Sequence, residues 1–214
     1  MGRISWSQVQ QWKSCPYKWK LAYVDGHRQW VDNIYTVYGK ALHATMQTYL
    51  EEMYNESIVK ADKLDLPNML LDRLKFYYSE GVKAADGKHF STQKELTEFC
   101  IQGAKGLEWF KKHRSDYFQK KNWELVGIEV QLEEKYRQVN VLGFIDVLMR
   151  NTKTGRYKVI DIKTSTRGWK YEKKDPMKKG QLIFYKKFVA EKYNIDVNMI
   201  DIEFVIVKRL LWEK

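Results

Sequence analysis

Residues Gly143–Lys163 read GFIDVLMRNTKTGRYKVIDIK, two strands joined by a short polar turn. In the first strand Leu142, Phe144 and Leu148 alternate with Val141, Ile145, Val147 and Met149. Both faces are therefore apolar, which predicts a central strand covered on both sides. One carboxylate, Asp146, is set into it. Asn151 to Arg156 forms the turn, with Lys153, Thr154 and Gly155 at its tip. The second strand runs from Tyr157 to Thr164. Side chains alternate along a strand, so Asp161 and Lys163 share one face while Ile160 and Ile162 point the other way. The hairpin can thus bring Asp146, Asp161 and Lys163 to one place. Charge on a buried strand calls for a partner or a metal.

Composition sets the frame around this hairpin. The chain has 214 residues, 44% of them hydrophobic, enough for one core and a single domain over residues 1–214. There are 38 Lys+Arg against 27 Asp+Glu, a formal net charge of +11. That balance favours a polyanionic partner, most often nucleic acid; the plainer reading is a lysine-rich solvated surface. Two cysteines, Cys15 and Cys100, make no disulfide framework, which points to a reducing, cytoplasmic setting, or a host's cytoplasm for a phage protein. The opening MGRISWSQVQQWK lacks the apolar core of a signal peptide, and no apolar run is long enough for a membrane span.

Helices are expected ahead of the hairpin. Ser5 and Gln8 stand in capping-box spacing, Ser14-Cys15-Pro16 interrupts, and Pro16 suits the start of a helix to Tyr23. A long helix runs from about Asn33 to Asn55, with Leu42, Met46, Tyr49, Leu50 and Met53 as its apolar face. Gly39 and His43 lie on one side of it; the glycine admits a neighbouring element, and His43 alone reads as a core histidine. Two further helices, from Pro67 to about Ala85 and from Thr92 to about Gln119, form a helical elaboration spanning about Ser57 to Lys121. Cys100 lies in the apolar stripe of the second. The basic run Lys111-Lys112-His113-Arg114 and Lys120-Lys121 suits a helix C-terminus without any nucleic acid.

A strand follows, with Val126, Ile128, Val130 and Leu132 as a core face and Glu129 on the other. After the hairpin, Arg167, Lys170, Lys173, Lys174, Lys178 and Lys179 are interleaved with Trp169 and Tyr171. That mixture suits a phosphate backbone and stacked bases, and equally a solvated loop. Asp175-Pro176 opens a helix to about Tyr193 that carries Gln181 and Tyr185 one turn apart, and Ile200 to Val207 is a last strand.

The order of these features resembles the RecB-like exonuclease branch of the PD-(D/E)XK nuclease superfamily. The matching residues are His43 on an early helix, Gly143-Phe144-Ile145-Asp146, Asp161-Ile162-Lys163 and Gln181-Leu182-Ile183-Phe184-Tyr185, with Ser5-Trp6-Ser7 and Cys15-Pro16 at the start. The resemblance spans nearly the whole chain. It implies an α/β fold, a restriction-endonuclease-like core in which a central mixed sheet of about four or five strands is flanked by helices. It also implies a metal-dependent DNA nuclease, an exonuclease of recombination, repair or phage DNA processing.

The chemistry of phosphodiester hydrolysis asks for an activated water and for charge neutralisation. Asp146 and Asp161 suit Mg²⁺ or Mn²⁺, which supply both. The resemblance adds the Ile162 carbonyl and the His43 imidazole as ligands; Glu129 is a candidate second-metal or water ligand. Lys163 would orient or activate the attacking water and offset charge in the transition state, and Gln181 and Tyr185 would position the site or the strand. Lys173, Lys174, Lys178 and Lys179 are the candidate DNA contacts. Some related nucleases, the CRISPR-associated adaptation enzymes among them, hold an iron–sulfur cluster on four cysteines. With Cys15 and Cys100 alone, no cluster is expected here. The competing readings are a catalytically silent nucleic-acid-binding or assembly protein on the same scaffold, and a metal-dependent hydrolase of a different phosphoester.

Overall fold

A computed structural model describes residues 3–27, 31–136, 138–169 and 175–209. Lys170, Tyr171, Lys173 and Lys174, singled out above, lie outside the described residues. The elements run β1 (Arg3–Ser5), α1 (Trp6–Ser14), α2 (Pro16–Tyr23), α3 (Ile34–Asn55), α4 (Ile58–Asp62), α5 (Leu66–Ala84), α6 (Gln93–His113), β2 (Trp123–Tyr136), β3 (Val139–Asn151), β4 (Tyr157–Ser165), α7 (Pro176–Tyr193) and β5 (Ile200–Lys208).

Strand β3 is the spine of a five-stranded mixed sheet. Along one edge it pairs with antiparallel β2, from Tyr136↔Val139 to Trp123↔Asn151. Its other edge is divided. Residues 140–142 pair in parallel with β1, and residues 147–150 pair antiparallel with β4. β4 then pairs in parallel with β5, from Tyr157↔Ile200 to Ser165↔Lys208. The β3–β4 turn is fixed by Asn151, whose Oδ1 accepts from the N–H groups of Lys153 and Thr154, while Gly155 takes the left-handed conformation (φ 72°).

Helices cover both faces. On one, the stripe Leu42, Met46, Tyr49, Leu50 and Met53 of α3 packs with α5 and α6 against Val147, Met149, Ile160, Ile162, Val205 and Val207. Burying each such aliphatic side chain contributes roughly 1.5–3 kcal/mol, so this stripe holds α3 to the sheet. On the other face, Leu182, Tyr185, Phe188 and Val189 of α7 pack on Ile145, Leu148, Tyr157 and Val159. The helices of the expected elaboration thus share one apolar cluster with the sheet.

Several local expectations change. α6 ends at His113, where Arg114–Asp116 turns as a 3₁₀ helix, so the helix does not continue to Gln119. The basic residues at and beyond its end tie down other helix ends: Lys111 Nζ donates to the Asp62 carbonyl, Arg114 pairs with the Asp62 carboxylate at 3.1 Å, and Lys120 Nζ donates to the Met53 carbonyl at 2.5 Å. The single core face expected for β2 is broken twice. A bulge falls between Leu125 and Gly127, and Glu129 has φ 47°. Val126, Val130 and Leu132 consequently pack on the α7 side, whereas Leu125 and Ile128 pack on the α3 side. β1 and α4 are additions to the expected elements.

Candidate active site

The two ladders on the divided edge of β3 stop short of each other. The β1 ladder ends at Ser5↔Leu142 and the β4 ladder begins at Val147↔Ile160. Between them lie Gly143, Phe144, Ile145 and Asp146, the segment where β3 and β4 fork. Side chains close the fork in place of a backbone ladder. Asp146 Oδ2 accepts from the Ile162 N–H at 2.6 Å. The Tyr185 hydroxyl accepts from the Phe144 N–H and, at 3.0 Å, from Gln181 Nε2. Tyr185 lies so close that a Cβ on Gly143 would stand 2.6 Å from its ring. Glycine at that position is therefore a steric requirement.

Asp146 and Asp161 are 9% and 1% exposed, and both border the fork. Lys163 Nζ lies 2.6 Å from Asp161 Oδ2, an ion pair at the buried end of the site. From α3, His43 Nδ1 stands 3.8 Å from Asp146 Oδ2. One turn on, Gln47 Nε2 donates to Glu129 Oε1 at 2.6 Å and reaches the Asp146 carbonyl at 3.5 Å. β2 pairs Ile128↔Val147 and Val130↔Ile145, so Glu129 stands opposite Asp146. The left-handed backbone of Glu129 turns its carboxylate to Gln47 and α3.

Burial pushes Asp146 up to about 6, against the pull of Lys163. Burial likewise pushes Asp161 up to about 6, with the Asp146 charge adding to it and Lys163 opposing. Burial and the Lys163 charge push His43 down to about 4. Near neutrality the site thus holds two crowded, desolvated carboxylates and an uncharged imidazole with its lone pair available. Such donors, two carboxylates and a neutral imidazole, fit a divalent cation. Among the described residues no three His, Cys, Asp or Glu side chains are drawn into a ready metal cage.

Beside the fork lies a cleft of about 470 Å³. Trp6, Phe144, Trp169, Phe204, Lys163 and Lys178 line it, along with Gln181 and the edge of Tyr185. Its α1 wall is fixed by Trp6, whose Nε1 donates to the Met177 carbonyl at 3.1 Å and whose ring lies where a Cβ on Gly180 would be 2.5 Å away. The Ser5-Trp6-Ser7 motif therefore builds a wall: Ser5 Oγ caps α1 by accepting from the Gln8 N–H at 3.4 Å.

The structure brings Asp146, Asp161, Lys163, His43 and the Ile162 backbone together at the fork, with Glu129 one Gln47 contact away. Tyr185 is 4% exposed and acts on the fork itself, while Gln181 and Lys178 face the cleft. Lys179 is exposed and does not line it. The close approach expected at Gly39 is an ordinary contact: a Cβ there would sit 3.5 Å from Thr164 Oγ1. Gln47 and Phe204 escaped the sequence reading, and Trp6 and Phe144 entered it only as members of motifs, not as parts of a cleft. Gln47 had one available signal, its spacing one helical turn beyond His43.

Comparison with curated proteins found none that matches the chain. A family model does match, and it runs from residue 3 to residue 209, from β1 through the end of β5 and with the whole fork between. An agreement of that extent makes the membership plain: the chain belongs to the PD-(D/E)XK nuclease superfamily.

Proposed function

We propose that this nuclease is a metal-dependent deoxyribonuclease of the RecB-like exonuclease kind, working on DNA in recombination, repair or phage DNA processing in a cytoplasm. The observation that carries the reading is the meeting of Asp146, Asp161 and Lys163 at the fork, beside a cleft bearing lysines and aromatic rings.

Asp146 and Asp161, together with His43 and the Ile162 carbonyl, would hold Mg²⁺ or Mn²⁺, and Gln47 presents Glu129 to the same region. The bound ion supplies positive charge for the phosphoryl oxygens and makes water more acidic. Lys163 spans the two parts of the site, since it pairs with Asp161 and also lines the cleft. Its ammonium orients the attacking water by donating hydrogen bonds and offsets charge that builds on the phosphate in the transition state. Tyr185, kept a neutral phenol by burial that pushes it up to about 12, holds Phe144 and the fork in place. No helix among the described residues is long and apolar enough to cross a membrane.

The test is cleavage of end-labelled linear DNA, single-stranded and duplex, with Mg²⁺, Mn²⁺ or chelator, alongside a closed circular substrate. Cleavage that needs metal and a free end supports the reading. Binding without cleavage under every condition would sink it in favour of a silent DNA-binding protein.

A further inference from the structure

Hydrolysis explains the carboxylates and Lys163 but leaves the aromatic lining of the cleft unexplained. Phe144 sits within the fork and is 44% exposed. One exposed ring is ordinary, but here it is grouped with Trp6, Trp169 and Phe204 in a single cleft, and such grouping marks a binding surface. Facing the same space, Trp169 leans on Phe204 with ring centroids 4.9 Å apart. Lys178 Nζ stands 4.4 Å from the centroid of the Trp169 ring, adding a positive charge to that wall. Lys163, at the catalytic end, is part of the same lining.

We propose that this cleft is a base-stacking subsite: it takes an unpaired nucleotide of the strand being cut, its base against Trp169 and Phe144 and its phosphate toward Lys163. The proposal rests on the nuclease reading and extends it to substrate choice. Aromatic side chains gain most from a base whose π-face is free, which a base inside a duplex stack does not have. A cleft of about 470 Å³ has the size of a small-molecule site, suited to single nucleotide units and not to a duplex rod. Two lysines in the lining, on a chain with a formal net charge of +11, favour a polyanion over an apolar peptide. Single strands and frayed ends are then preferred over paired DNA, and the preference resides in rings that do not touch the reacting atoms.

The experiment measures binding in chelator, where nothing is cut, using a labelled oligothymidine, its blunt duplex with oligoadenine, and the same single strand carrying abasic nucleotides. The wild-type protein should bind the normal single strand about tenfold more tightly than the abasic strand, a magnitude typical of one or two stacked bases. It should bind the duplex more weakly than the normal strand. Trp169→Ala and Phe144→Ala should each become nearly indifferent to base removal. Phe144→Ala guards against a folding defect in Trp169→Ala, because its ring is exposed, and thermal melts verify both variants. The abasic comparison needs no variant at all. Equal affinity for normal and abasic strands, or a duplex bound as tightly as the single strand, overturns the proposal. Cleavage with Mn²⁺ is scored separately. Base-dependent binding without cleavage defeats the nuclease reading and leaves the stacking subsite standing, whereas cleavage with base-independent binding does the reverse.

Discussion

The Asp146 carboxylate does the work of a backbone group: its Oδ2 accepts the Ile162 N–H at 2.6 Å just beyond Val147↔Ile160, the last pair of the β3–β4 ladder. A candidate metal ligand is thereby also a structural acceptor, and the two roles separate by substitution. Asp146→Asn keeps an acceptor for Ile162 and should fold well while losing metal-dependent cleavage. Asp146→Ala leaves a buried N–H without a partner and should be less stable than Asp146→Asn by on the order of 1–3 kcal/mol. Denaturant melts of the two variants measure the difference, and equal stability would show that the hydrogen bond carries no weight.

The crowded carboxylates give the metal-free protein a defined response to pH. Asp146 and Asp161 rise from 3.8 to about 6 on folding, so the folded state binds protons more tightly than the unfolded state between those values. Stability should therefore fall as pH rises from about 4 to about 6, with no further loss from these groups above. A divalent cation competes for the same sites, so the gain in melting temperature on adding Mn²⁺ should be larger at pH 8 than at pH 5. His43, pushed down from 6.5 to about 4, works the other way over that range, because the unfolded histidine holds a proton that the folded one has lost; it offsets part of the fall from the two carboxylates. Equal gains at the two pH values would contradict the assignment.

His43→Ala should weaken metal binding without unfolding the protein, and high Mn²⁺ should restore part of the cleavage. Imidazole is a ligand that Mn²⁺ accepts readily, and a missing ligand is offset by concentration. A calorimetric titration giving wild-type metal affinity would return His43 to the role of an ordinary packed histidine.

Lys163→Ala should reduce cleavage by roughly a hundredfold or more, the scale for a group acting mainly on the transition state. DNA affinity should change little, because one lysine is a small part of a distributed, salt-dependent attraction. Charge reversal at Lys178 and Lys179 should do the opposite, weakening binding and flattening its dependence on salt. Cleavage and binding measured on the same preparations distinguish these outcomes. Full-rate cleavage by Lys163→Ala would remove the residue from the chemistry.

Two glycines that look alike in sequence should behave differently. Gly143→Ala forces a methyl to within 2.6 Å of the Tyr185 ring, which is packed and 4% exposed. Overpacking of this kind costs about 1–3 kcal/mol. Gly39→Ala meets Thr164 at 3.5 Å inside a long helix and should be neutral, or stabilising by up to about 1 kcal/mol. Urea midpoints of the two variants give the comparison, and the reverse order would show that Tyr185 yields easily.

The parts of the fold that were legible in the sequence are those written in local periodicity. The hairpin of β3 and β4 and the stripe of α3 depend on neighbours two, three or four residues away, and Asn33 caps α3 from just outside it. The rest depends on distance. β1 is a three-residue strand whose meaning lies in its pairing with residues 140–142. The Lys120 ammonium reads as a generic basic residue until the Met53 carbonyl comes within 2.5 Å. The face changes in β2 follow from a bulge between Leu125 and Gly127 and from one left-handed residue, Glu129, neither of which a period-two pattern encodes. The Asp146–Asp161–Lys163 set was visible because it is built on a hairpin. The part of Gln47 and the gathering of the cleft's lining were not, because the lining is drawn from α1, β3, β4, α7, β5 and the segment after β4.

The wall that Trp6 builds has a consequence for the order of folding. Its hydrogen-bond partner Met177 is 171 residues away along the chain. The β3–β4 hairpin closes over a six-residue turn, from Asn151 to Arg156, and can form early; the contact between α1 and α7 has to wait until the entropy of a very large loop has been overcome. The carboxylates should thus meet before the wall beside them is shut. Pulsed hydrogen exchange should find the amides of β4 protected before those of β1, and simultaneous protection would refute that sequence of events.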